Sequence, residues 1–262
     1  MREIVTMWKY TKMVVLCAIT AAIFAAILIP MKSIPIIPGS TEIRPASVIP
    51  VVFGILFGPA GAWGSAIGNL IGDFFGTLGI GTIFGFIGNF FFSLTAYRLI
   101  NAREIYHNYW QKESKLIFCS FFLYVGVVSS AACAAFIAWG LDILGLVPFS
   151  VLGSIIFINN VIVSVVLGPL VFLVLYPRIE RWDMLWTDIL KESDFRKCTA
   201  SKTSKILIVV GSLGAFTSGI IVSSGFSGKI PFFSQKIWFL ENGTGITVFP
   251  FLIITIVGCI MA

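Results

Sequence analysis

Long apolar runs, separated by short polar stretches rich in Lys and Arg, make up almost the whole chain. Crossing a hydrocarbon layer of about 30 Å takes ~20 helical residues. On that measure the pattern predicts eight helical spans, at approximately 13–30, 46–58, 61–77, 82–99, 116–140, 150–176, 206–224 and 246–262. The second and third are short and are divided by Gly58-Pro59, a turn signal. Segments this short and Gly-rich are expected to be sheltered by neighbouring helices, because lipid satisfies no exposed backbone group. The stretch 177–205 is polar, with Trp182 and Trp186 one helical turn apart, and reads as an amphipathic interfacial helix. The chain therefore divides into a six-span body at 1–176, a linker at 177–205 and a two-span tail at 206–262.

Charge sets the direction of these spans. Of the 18 cations, fourteen fall in three clusters between spans: Arg2, Lys9 and Lys12; Arg98, Arg103, Lys112 and Lys115; and Arg178, Arg181, Lys191, Arg196, Lys197, Lys202 and Lys205. The positive-inside rule puts all three clusters in the cytoplasm, and eight crossings then return both termini to that side. Lys32, Arg44, Lys229 and Lys236 remain for the exterior. The net charge of +6 thus reports topology and gives no reason to expect nucleic acid as a partner. With 58% hydrophobic and only 11% charged residues, a water-facing surface is excluded. The run 13–29 is longer than a signal-peptide core, and Pro30, Met31 and Lys32 follow it in place of a small-residue cleavage site, so it is expected to be retained. One His and five scattered Cys leave no metal spacing, and no metal or cofactor is expected. The sequon Asn242-Gly243-Thr244 is too common a triplet to carry weight.

Polar residues inside the spans carry the chemistry. Ser65, Asn69, Asp73 and Thr77 form a line along the third span, beside a glycine ladder at Gly64, Gly68, Gly72 and Gly76. Adjacent rows on a helix differ by about 100°, so one face packs closely while the next presents hydrogen-bonding groups. An ionised carboxylate at mid-membrane costs about 2.5–3.5 kcal/mol on insertion scales, which makes Asp73 a functional candidate. Asn89, Ser93 and Tyr97 share a face of the fourth span, and Asn159, Asn160 and Ser164 interrupt the sixth. Glu42 and Arg44 sit in the proline-stiffened loop 31–47 as a gate or as charge partners, and Trp139 and Asp142 approach the same mouth. The predicted substrate contacts are Glu42, Arg44, Asn69, Asp73, Asn89, Trp139, Asn159 and Asn160. In the first span Ala18, Ala22 and Ala26 repeat every four residues, a smooth strip for close helix approach. It serves either packing within the chain or docking of another subunit.

Taken together, the A-x-x-x-A strip, the prolyl loop with Glu42-Ile43-Arg44-Pro45-Ala46, the stretch Phe57-Gly58-Pro59-Ala60-Gly61-Ala62-Trp63-Gly64 and the stretch Gly68-Asn69-Leu70-Ile71-Gly72-Asp73 resemble the substrate-binding S components of energy-coupling factor (ECF) transporters. These are prokaryotic uptake systems for vitamins and related micronutrients. The resemblance covers roughly residues 10–180. It implies capture of a small-molecule nutrient in the plasma membrane, with Ala18, Ala22 and Ala26 docking on a transmembrane coupling subunit joined to two cytoplasmic ATPases. The fold expected is all-α and polytopic, an S-component-like body of six helices plus two extra transmembrane helices. No enzymatic activity is expected: an aspartyl mechanism needs two carboxylates in one site, and Asp73 alone lies well inside a span. No Walker A pattern is present either, so ATP dependence must come from partners. The competing reading is a self-sufficient proton-coupled secondary transporter with Asp73 as proton carrier.

Overall fold

Each apolar run becomes a helix, since in lipid a backbone satisfies its own polar groups only that way or in a closed barrel. The computed structural model describes residues 2–37, 41–42, 44–76, 78–191, 194, 202–225 and 243–262. Eight main helices follow the expected spans: α1 (Thr11–Met31), α2 (Val48–Phe57), α3 (Pro59–Asp73), α4 (Gly81–Leu99), α5 (Lys115–Ile143), α6 (Phe149–Arg181), α7 (Lys202–Ser223) and α8 (Thr244–Met261). Five of them, α1, α5, α6, α7 and α8, are long and apolar enough to cross a membrane. A sixth is α4 taken together with the helical turn after it, from which it is bent by 56°. The protein is an all-α, multi-pass membrane protein.

The short helices α2 and α3 behave as their length demands. At 1.5 Å per residue, 10 and 15 residues reach only about 15 and 22 Å. Every residue of α2 is buried, packed among α3, α4 and α6. The chain reverses between α2 and α3 at Gly58, which has φ +55° and lies under the Trp186 ring. A Cβ there would be strained by the backbone and would meet the indole at 2.7 Å.

The two ends of the bundle differ in character. At one end the short helix Arg2–Thr6 returns onto the body: Glu3 pairs with Arg98, and Trp63 donates its indole N–H to the Ile4 carbonyl at 3.0 Å. Arg103 pairs with Asp188 at 2.6 Å, and Tyr10 donates to the Asp194 carboxylate. The described members of the three basic clusters therefore share this end. At the other end a small antiparallel hairpin pairs β1 (Pro35–Ile37) with β2 (Thr41–Glu42), between α1 and α2.

After α6 the described chain does not form the single interfacial helix expected at 177–205. Helix α6 continues to Arg181, the backbone turns at Asp183 with φ 51°, and a four-residue helix follows at Trp186–Ile189. The two tryptophans part company as a result: Trp182 is exposed and Trp186 is buried. The tail helices α7 and α8 pack tightly on each other through Gly211 and Gly258, and both lie against α5. Cys198, Lys229, Lys236 and Asn242 lie outside the described residues.

Candidate functional site

The glycine ladder of α3 explains how its polar line is aimed. A Cβ on Gly64 would lie 2.7 Å from the Cys17 carbonyl, one on Gly68 2.8 Å from the Ala21 carbonyl, and one on Gly72 2.6 Å from the Leu28 side chain. Three of the four glycines are thus the seam against α1, with Ala21 and Ala25 buried opposite. Gly76 falls beyond the end of α3, and Thr77 lies outside the described residues. With that row committed to α1, the neighbouring row of Ser65, Asn69 and Asp73 is buried as well and faces the protein interior.

A connected polar cluster results, at the end opposite the basic clusters. Asn69 donates from Nδ2 to Asp73 Oδ2 at 3.0 Å, one helical turn away. The Oδ1 of the same Asn69 accepts from the Arg44 guanidinium. The other carboxylate oxygen, Asp73 Oδ1, pairs with Lys32 Nζ at 3.0 Å. Both partners of that ion pair are nearly sealed, at 7% and 10% side-chain exposure, and Arg44 is buried too. Charges this far from water persist only when paired and hydrogen-bonded. The Arg44 backbone N–H points to Asn159 Oδ1 at 3.5 Å, and Ser47 donates its hydroxyl to Asn160 Oδ1 at 2.7 Å. Side chains from the 32–47 loop, α3 and α6 therefore converge.

Gly85 of α4 closes the cluster from a third helix. A Cβ at this position would come within 2.8 Å of Asn69 Nδ2 and 3.6 Å of Asp73 Oδ2. Asn89, one turn along, donates back to the Gly85 carbonyl at 2.8 Å. Asn89 thus follows Gly85 on the same face of α4, one turn along, with its amide committed to its own helix.

Two expected contacts sit elsewhere or lack a described side chain. Trp139 of α5 faces the tail: its indole stacks on Phe249 with centroids 5.7 Å apart and donates to the Gly245 carbonyl at 3.4 Å. Asp142 likewise accepts from the Phe149 backbone N–H at 2.9 Å and from the Thr244 hydroxyl, tying α5 to α6 and α8. Glu42 contributes its backbone to β2, and its side chain lies outside the described residues. Lys32 is the residue that reading the sequence missed. It looked like one of four cations left outside, and its partner stands 41 positions away. Its place just past the end of the first span, at the depth of an acid ending the third, was the available signal.

On the opposite face of α1, Ala18, Ala22 and Ala26 are all exposed, together with Val15, Ile19 and Ile23. Among the described residues the small-residue strip is left uncovered. Of its cysteines, Cys17, Cys133 and Cys259 are buried and Cys119 is exposed, and no metal-binding group of His, Cys, Asp and Glu occurs among the described residues.

The fold and the cluster describe a polytopic membrane protein that buries a mixed-charge polar site at one end of its bundle. A family model described as QueT transporter matches residues 14–177, and the chain belongs to the QueT transporter family. That family is one of ECF-type S components, the class whose motifs the sequence resembles. No curated protein and no solved structure matches the chain. The family match ends where α6 is finishing, so α7 and α8 lie beyond it.

Proposed function

We propose that this chain is the substrate-capture subunit of an ECF-type uptake transporter in a prokaryotic plasma membrane, and that its cargo is a queuosine precursor, a purine-like base. The observation that carries the reading is the buried chain Lys32–Asp73–Asn69–Arg44, at the end away from the basic clusters. With those clusters cytoplasmic, the polar cluster faces the exterior. A purine-like base offers N–H donors and carbonyl or ring-nitrogen acceptors along one edge. The Asp73 carboxylate accepts, Arg44 donates, and the Asn69, Asn159 and Asn160 amides do either. Lys32 holds Asp73 in the absence of cargo, and the arriving base takes over that carboxylate. Because Lys32 follows α1 directly, the exchange frees the mouth of the 32–47 loop as the ligand enters.

Delivery then requires partners. The exposed Ala18, Ala22 and Ala26 strip is the surface for a transmembrane coupling subunit, which carries two cytoplasmic ATPases. Titration of the purified chain with a queuosine precursor tests the capture step. Asp73→Asn is expected to weaken binding by at least about tenfold, the scale of one charged hydrogen bond. Lys32→Met, which removes the competitor for Asp73, is expected to bind as tightly as the parent or more so. Equal affinity for the parent and Asp73→Asn removes this cluster from the site. Uptake that an uncoupler abolishes, and that proceeds without ATPase subunits, replaces the reading with the proton-coupled transporter.

A further inference from the structure

The basic end of the molecule holds a cleft that cargo capture leaves unused. Its volume is about 80 Å³, and its walls include Tyr97, Arg98, Asn101, Glu104, Trp186 and Lys205. One water needs roughly 10–15 Å³ on this measure, so the cleft has room for a group the size of a phosphate. It lies where the apolar helices α4 and α7 meet the polar end, the depth at which lipid headgroups sit and at which tryptophan is enriched.

The charges around the cleft are unevenly committed. Arg98 is bound to Glu3 and stands 4.9 Å over the Tyr97 ring. Asn101 caps the helical turn after it, accepting at Oδ1 from the Arg103 N–H at 2.9 Å and from the Glu104 N–H at 3.4 Å. Its amide nitrogen is left to donate. Lys205 is half-buried, yet neither it nor the exposed Glu104 forms an ion pair among the described residues. An ammonium partly withdrawn from water gains most from a nearby anion. A lone carboxylate beside it suits a cation carried on the same ligand.

We infer that this cleft binds the headgroup of a phosphatidylethanolamine-type lipid of the inner leaflet, its phosphodiester on Lys205 Nζ and the Asn101 amide and its primary ammonium on Glu104. Basic pockets between membrane helices on the cytoplasmic side take anionic headgroups, and the Glu104 carboxylate in this cleft adds a place for a headgroup cation. Here the cation comes from α7, beyond the matched family region, while Asn101 and Glu104 come from within it. The lipid thus bridges the tail and the body.

The test uses the delipidated full chain in detergent, with lipid retention read by native mass spectrometry. The probes are dioleoylphosphatidylethanolamine, dioleoylphosphatidylglycerol and inorganic phosphate. The parent is expected to retain the ethanolamine lipid in preference to the glycerol lipid. Lys205→Ala is expected to retain about tenfold less of it, Lys205→Arg to restore retention, and Glu104→Gln to abolish the preference between lipids while keeping binding. Equal retention by the parent and Lys205→Ala overturns the site. Inorganic phosphate that competes fully at equal concentration overturns the lipid assignment in favour of free phosphate. A preference unchanged in Glu104→Gln overturns the ammonium contact.

Discussion

Asp73 shows how one buried carboxylate is made tolerable. Its two oxygens are divided between an ammonium on another element and an amide one turn back on its own helix. Removing one member of a buried pair costs about 3–5 kcal/mol, because the other charge is left behind. Asp73→Asn therefore burdens stability as well as binding, whereas the double variant Asp73→Asn with Lys32→Met returns most of the stability and none of the affinity. Thermal unfolding in detergent, run beside the cargo titration, separates the two effects. His107 at the opposite end lies past the bend that follows α4, beside the basic clusters. Its Nε2 meets Glu180 Oε1 at 2.8 Å and its Nδ1 meets Gln111 Oε1 at 3.0 Å, so both ring nitrogens face acceptors. Those hydrogen bonds, Glu180 first, raise its pKa above the ordinary 6.5. A raised value makes the contribution to stability complete below about 6.5, the unfolded value, and lost as pH climbs through the folded one. The melting temperature of the parent is expected to fall over that interval more than that of His107→Gln. Parallel pH profiles of the two proteins count against the contact.

Helices α1 and α3 meet along glycines because the separation between them leaves no space for a methyl group. At Gly68 the obstruction is the Ala21 carbonyl, an atom of a helix backbone that cannot swing aside. Overpacking of this kind costs about 1–3 kcal/mol. Gly68→Ala is expected to lower the thermal midpoint by several degrees, and, since the polar line is aimed by this seam, to weaken cargo binding too. Gly79→Ala, in the turn before α4 where a Cβ meets nothing within 4 Å, serves as the matched control. Equal midpoints for the two variants remove the ladder from the account. The alanines on the other side of α1 obey the same rule with a different outcome, since their closeness is offered outward.

For the molecule as a whole, the arrangement of the tail matters most. Helices α7 and α8 lie against α5, and α7 also against α6, whereas α1 packs chiefly on α3. Among the described residues the tail covers a different flank from the exposed alanine strip. Ala22→Trp is expected to keep cargo affinity and to abolish co-purification with the coupling subunit, as read by affinity pull-down from membranes. Retained co-purification sinks the docking role of the strip. The body's dependence on its tail is visible in Trp139 and Asp142, which bond to α8 residues.

Hydropathy and charge were enough to draw eight helices and a basic end, because each depends on a run of neighbouring residues and on the uniform thickness of a bilayer. The i, i+4 relation of Asn69 and Asp73 was equally legible, since helix geometry converts spacing into contact. The attachment of Lys32 to Asp73, the reach of Arg44 to Asn69, and the turning of Trp139 toward the tail were not. Each joins residues on different helices, and which helices adjoin is decided by how glycine seams, short buried segments and paired charges fit together in three dimensions. Composition could show that polar side chains had to be withdrawn from lipid. Only the packed bundle fixed which of them meet.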